Sequence, residues 1–146
     1  MKDFPDLPPV WLLGCAGLSW LLARLVPVAV FDLPEWLGWT LFAFGFIWAA
    51  TAAALFLFRK TPVEPRHTPT VLLVEYHFRI NRNPIYSGMT TMLLGWAIVL
   101  GAVTAFVPAF VFPFIITHRF IADEEQRLRE AFGQAAEDYL DRSRRW

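Results

Sequence analysis

Charge is nearly absent from the first part of this chain: between Leu7 and Phe58 only Arg24, Asp32 and Glu35 carry any. A soluble domain of 146 residues needs a polar surface, and 56% hydrophobic with 18% charged residues leaves too little of one. The composition excludes an ordinary soluble domain and points to an integral membrane protein. A single cysteine, Cys15, excludes an internal disulfide and leaves the redox compartment unreadable. A cleavable leader is not expected, because Met1 to Pro9 sets Lys2 against Asp3 and Asp6, so the first apolar run reads as retained. Net charge is zero, and no nucleic-acid partner is expected.

What the chain has instead is apolar runs. Val10 to Phe31 is long enough to cross roughly 30 Å of hydrocarbon at 1.5 Å per residue, with Pro27 ending or kinking the helix. Arg24 lies near the end of this run and is placed to snorkel to the interface or to pair with Asp32 or Glu35. After the acidic turn Asp32 to Glu35, Trp36 and Trp39 suit an interfacial belt, and Leu37 to Phe58 forms a second span. Residues 1–58 therefore read as a helical hairpin. Gly45, Ala49 and Ala53 recur every four residues, a small-residue stripe against which another helix packs closely.

Residues 59–83 are polar and basic, with Arg59, Lys60, Arg66, Arg79 and Arg82 against Glu64 and Glu75, and Pro62, Pro65 and Pro69 disfavour helix in the first half. The positive-inside rule places this loop and both termini in the cytoplasm. Residues 84–120 are again apolar, too long for one span, and read as a second hairpin turning near Thr104 to Pro108. Residues 121–146 form a C-terminal helix and tail. Over His118 to Tyr139 a helical period puts Ile121, Leu128, Phe132, Ala135 and Tyr139 on one stripe, flanked by Glu124 and Glu125. The expected fold is an all-α integral membrane protein of about four transmembrane helices plus a C-terminal amphipathic cytoplasmic helix. It forms one domain in a lipid bilayer, with an oligomeric state the sequence does not reveal.

The stretch that organises the rest is Asn81-Arg82-Asn83-Pro84-Ile85-Tyr86-Ser87-Gly88, a polar cap joined to the start of an apolar helix. Asn83 is suited to cap the free N–H groups, and Pro84 fits the first helical position. Positive charge and free N–H groups at that point favour an anionic group such as a carboxylate. His67, His77 and His118 lack metal-ligand spacing and no cysteine joins them, so no metal is expected.

Arg82-Asn83-Pro84-Ile85-Tyr86-Ser87-Gly88, then Glu124-Glu125-Gln126-Arg127-Leu128, Phe132-Gly133, Tyr139 and Arg144-Arg145-Trp146 closely resemble the isoprenylcysteine carboxyl methyltransferase and phospholipid methyltransferase group of membrane enzymes. The similarity runs roughly from Thr61 to Trp146. It implies S-adenosylmethionine bound on the cytosolic side and a lipophilic or membrane-associated methyl acceptor. Matched by position, His67, Arg82, Asn83, Pro84, Tyr86, Glu124 and Glu125 are the implied cofactor-binding residues. The family commonly has a glycine ahead of the arginine motif, and here Tyr76 stands at that position. Sterol reductases share the arginine-x-proline-x-tyrosine and glutamate pattern but use NADPH, which makes a membrane reductase the alternative enzyme; a non-enzymatic lipid-binding scaffold is the third reading.

Overall fold

Pro8 and Pro84 each stand in the first turn of a long helix, where a missing N–H costs nothing; the second begins at Pro84 as expected, and the first begins two residues before the expected Val10. The computed structural model describes residues 6–60 and 72–146. Its helices are α1 (Pro8–Leu25), α2 (Glu35–Phe58), the single turn α3 (His77–Ile80), α4 (Pro84–Leu100), α5 (Phe106–Ile116), α6 (Ala122–Phe132) and α7 (Gln134–Arg142). A π turn over Thr117–Ile121 joins α5 to α6. No strand occurs among the described residues. His67 and the proline-rich first half of the 59–83 loop lie outside them.

Among the described residues three helices are long and apolar enough to cross a membrane: Pro8–Leu25, Glu35–Phe58 and the continuous Val103–Phe132. The fourth apolar helix, α4, has 17 residues and a length of about 25 Å. α2 is apolar on every face, and Phe44, Phe46, Ile47, Phe110 and Phe114 point outward, as suits helices solvated by lipid.

The packing corrects the expected first hairpin. α1 lies mainly against α4 and α5, while α2 lies against α4, so α4 is the central helix and separates α1 from α2. The cause is a steric match. The buried positions of α2 are Gly38, Gly45 and Ala52, a seven-residue repeat, and of the expected four-residue stripe Gly45 and Ala49 both lie against Gly88 of α4. A Cβ on Gly45 would come within 2.6 Å of the Gly88 carbonyl oxygen, and one on Gly95 within 2.6 Å of the Gly38 carbonyl oxygen. Two glycines on each helix therefore let the backbones touch. A repeat of seven keeps one seam facing the partner along both helices. α1 has no such match: Cβ atoms at Gly14 and Gly17 would meet nothing within 4 Å.

At the end remote from residues 81–83, Gly101 closes α4 in the left-handed conformation (φ 67°), and its carbonyl accepts the Phe31 N–H at 2.9 Å. The turn thus falls at Gly101–Ala105 rather than at Thr104–Pro108, and Pro108 lies in the first turn of α5. Arg24 is exposed in the last turn of α1 and pairs with neither Asp32 nor Glu35.

Phe112, Ile116, Phe120 and Ile121 are fully buried in one cluster with Cys15, Tyr86 and Leu93. The π turn brings adjacent residues closer in direction than the α-helical 100°, so Phe120 and Ile121 both point inward and the buried line moves on by one residue. The same offset carries the buried line from Ile121 to Glu125, which is 6% exposed. Glu125 therefore lies on the stripe, not beside it. The single helix expected to run through Tyr139 is broken at Gly133 (φ 54°), where α6 ends and α7 begins. The bend shifts the phase by one residue, so Ala136 and Leu140 are buried and Ala135 is exposed.

Candidate functional site

α4 begins and α5 ends at the same end of the bundle, which brings the residues around Pro84 to the first turn of α6. Six of the seven residues singled out from the sequence, Arg82, Asn83, Pro84, Tyr86, Glu124 and Glu125, converge there. The seventh, His67, lies outside the described residues.

Tyr86 donates its hydroxyl to Glu124 Oε1 at 2.6 Å. Glu125, one residue on, receives a different set of partners. Arg145 approaches it with two N–H groups, Nε to Oε1 at 2.9 Å and Nη2 to Oε2 at 2.6 Å, and Arg82 Nη1 stands 3.4 Å from Oε1. The two carboxylates are thus separately provided for, one by a neutral donor and one by two cations. Fork-to-carboxylate pairs of the Arg145 kind are the stronger and more directional ones. The hydrogen bond to Glu125 is also what raises the pKa of the Arg145 guanidinium above its ordinary value.

Asn83 does not cap α4 with its side chain as expected. Its carboxamide instead donates to the Arg145 carbonyl at 2.9 Å. The local scaffold is built by Asn81, whose side-chain oxygen accepts the Asn83 N–H at 3.1 Å and whose amide donates to Ser87 Oγ at 3.0 Å. The Ser87 hydroxyl in turn donates to the Asn83 carbonyl at 3.2 Å. This closed set fixes the bend at residues 81–83 and aims Arg82 across to α6. The tail after α7 runs parallel to it, with a bridge between Asn81 and Arg144 and the Arg82 N–H donating to the Arg144 carbonyl at 2.7 Å. Tyr139 anchors α7 by donating to the Phe78 carbonyl at 3.0 Å. Burial pushes the Tyr139 hydroxyl up to about 12, against the opposing pull of the nearby Arg82 charge, so it stays a donor.

One feature points to an acceptor-bearing ligand. Arg82 Nε is buried and finds no acceptor among the described residues, although its Nη1 is engaged. An orphaned guanidinium N–H in a mostly buried side chain is costly and calls for an acceptor. The backbone just ahead of the motif is strained: Tyr76, at the position the family commonly gives to glycine, has φ 50° and ψ −117°. The Phe78 N–H donates to the Glu75 carbonyl at 3.1 Å, so Tyr76 occupies the first central position of a tight turn that normally takes glycine. His77, next in the chain, stacks edge-on against Trp48 at 4.5 Å and meets Thr51 Oγ1 at 3.1 Å. It serves the α2–α3 contact rather than the site.

Beside the site, α1 and α5 frame a groove of about 630 Å³ lined by Val10, Gly14, Leu18 and Ile115. At its polar end Arg119 stands 3.5 Å from Asp6 and lies over the Trp11 ring. Cys15 of this groove and Tyr86 of the site belong to one core cluster.

The residues that sequence reasoning missed are Asn81, Ser87, Tyr139 and Arg145. Asn81 and Ser87 carried a local signal, since both stand inside the motif. Arg145 contacts residues 20 and 62 positions away, which no local pattern encodes.

The family model for phospholipid methyltransferase matches residues 33–135, well over half of the chain. No curated protein and no solved structure matches it. The match takes in α2, the arginine motif, the whole of α4 and both glutamates, and the chain therefore belongs to the phospholipid methyltransferase family of membrane methyltransferases.

Proposed function

We propose that this chain transfers a methyl group from S-adenosylmethionine to a lipophilic acceptor within the membrane. The observation that carries the reading is the buried Arg82 Nε with no acceptor among the described residues, set among the Tyr86–Glu124 and Arg82–Glu125 contacts at the α4–α6 junction. The donor set fits the cofactor. Arg82 suits its carboxylate, Glu125 or Glu124 its ammonium, and the aromatic and aliphatic residues between α4 and α6 its adenine. When bound, the cofactor supplies an electrophilic methyl group on a sulfonium.

What the chain itself contributes is placement. The Asn81–Ser87 set fixes residues 81–83, α6 fixes the carboxylates, and the core cluster beneath Tyr86 excludes water from the apolar side. In-line transfer needs alignment of acceptor, methyl and sulfur more than it needs a protein nucleophile, and a dry site favours it. The α1–α5 groove supplies an apolar approach from the bilayer, with Arg119 and Trp11 at its polar end. The site end of the bundle also carries Arg59, Lys60, Arg79 and Arg82, which supports a cytoplasmic orientation for it.

Calorimetry on the detergent-solubilised protein tests the reading. S-adenosylhomocysteine is expected to bind and NADPH is not. Saturable NADPH binding without S-adenosylhomocysteine binding would move the chain to the reductase reading, and binding of neither would leave a lipid-binding scaffold.

A further inference from the structure

Glu125 is reached from two sides. Arg82 approaches from the interior, with its side chain 16% exposed, and Arg145 covers the outer side, 43% exposed, over a carboxylate whose own side chain is 8% exposed. Arg145 engages both carboxylate oxygens and leaves the side chain 8% exposed, so a cation arriving from solvent meets the guanidinium before it meets the carboxylate. The backbone that carries Arg145 is laid along the motif strand by three contacts: the Asn81–Arg144 bridge, the Arg82 N–H on the Arg144 carbonyl, and the Asn83 carboxamide on the Arg145 carbonyl. None of these contacts is apolar core packing, and residues 144–146 are all exposed. The segment is held by a few polar contacts at the rim, the kind of element that opens locally without unfolding the rest.

We propose that residues 143–146 form a gating strap: Arg145 holds Glu125 in the place of a ligand's ammonium group, and the strap must swing out for that ligand to bind. The inference rests on the donor-site reading above, and adds that the closed state competes with the ligand for one carboxylate. A site whose competent state is only partly populated shows an affinity reduced by that fraction, so weakening the strap raises affinity. The gate acts on the ammonium alone. A ligand with the same adenosine and thioether but no amino-acid part gains nothing from opening it.

The test compares S-adenosylhomocysteine with 5′-methylthioadenosine, which lacks both ammonium and carboxylate, on the full chain in detergent. Arg145→Gln removes the charge and the fork from an exposed side chain. It is expected to bind S-adenosylhomocysteine about tenfold tighter than wild type while methylthioadenosine affinity stays put. Arg145→Lys, which keeps a charge without the fork, is expected to fall between them. Nitroxides at Glu130→Cys and Trp146→Cys in a Cys15→Ala background report the strap directly, and saturating S-adenosylhomocysteine is expected to lengthen and broaden their separation. If Arg145→Gln binds S-adenosylhomocysteine no tighter than wild type, or if the spin-label separation is unchanged at saturation, the gate is wrong while the donor site stands. Binding to Arg145→Gln but not to wild type supports both. If neither protein binds, the donor site falls and the gate falls with it.

Discussion

Tyr86 on α4 and Glu124 on α6 meet hydroxyl to carboxylate at 2.6 Å, across 38 residues of chain. The contact ties the central helix of the bundle to the helix that emerges from it, and it lies at the floor of the site. Tyr86→Phe removes only the oxygen and leaves Glu124 without this donor. The loss of a hydrogen bond to a charged group is expected to lower unfolding stability by about 1.5–3 kcal/mol, read by thermal unfolding in detergent. An unchanged melting temperature would mean that the two groups do not meet.

The glutamates of α6 are not equivalent. Glu125→Gln leaves Arg82, largely buried, facing a neutral amide, and breaking a buried pair from one side is expected to cost about 3–5 kcal/mol. Glu130 is exposed and accepts only from Gln126 at 2.9 Å, so Glu130→Gln is expected to change stability by less than about 0.5 kcal/mol. Chemical unfolding of the three proteins side by side checks the order. A Glu130 variant as damaged as the Glu125 variant would show that the helix carries the effect and not the ion pair.

Glycine positions separate contact from open surface. At Gly45 and Gly88 an added methyl would sit 2.6 Å from the partner's carbonyl oxygen, so Gly45→Ala is expected to push α2 off α4 and cost at least about 1–3 kcal/mol. At Gly14 nothing lies within 4 Å, and Gly14→Ala is expected to be neutral or to stabilise by up to about 1 kcal/mol through helix propensity. Equal melting temperatures for the two variants would refute the α2–α4 seam.

Tyr76 stores backbone strain at a turn that glycine fits better. Its side chain is 71% exposed, so little packing is lost by removing it. Tyr76→Gly is expected to stabilise the protein by about 1 kcal/mol, with ligand affinity retained. Destabilisation would show that residue 76 holds a different conformation.

How much of this was legible in the sequence depended on distance along the chain. The start of α4 at Pro84, the spans, and the arrival of Arg82, Tyr86, Glu124 and Glu125 at one end follow from local signals: a proline at a helix start, apolar length, a recurring motif. The pairing of α2 with α4 did not follow, because Gly38, Gly45, Gly88 and Gly95 signal close approach without naming a partner. The π turn was equally hidden, and with it the inward position of Glu125, since a uniform 100° projection places that residue beside the stripe. Gly133 was a readable break, as glycine commonly ends a helix, but the apolar pattern continued past it and hid the bend. Arg145 stood in the motif at the end of the chain without a role; its place on Glu125 depends on a parallel pairing 62 residues away.

The central claim is that Arg82 is the anchor of a donor site rather than one basic residue among several. Arg82→Ala leaves Glu125 still held by Arg145, so the fold is expected to survive the change. Arg79, three residues earlier, is exposed and serves as the matched control. The measurement is the S-adenosylhomocysteine affinity of both variants by calorimetry. Loss of a charge-assisted hydrogen bond in a mostly buried site is expected to weaken binding by about ten- to a hundred-fold in Arg82→Ala, with Arg79→Ala near wild type. Equal losses in the two variants would contradict the account and reduce Arg82 to part of a diffuse basic surface.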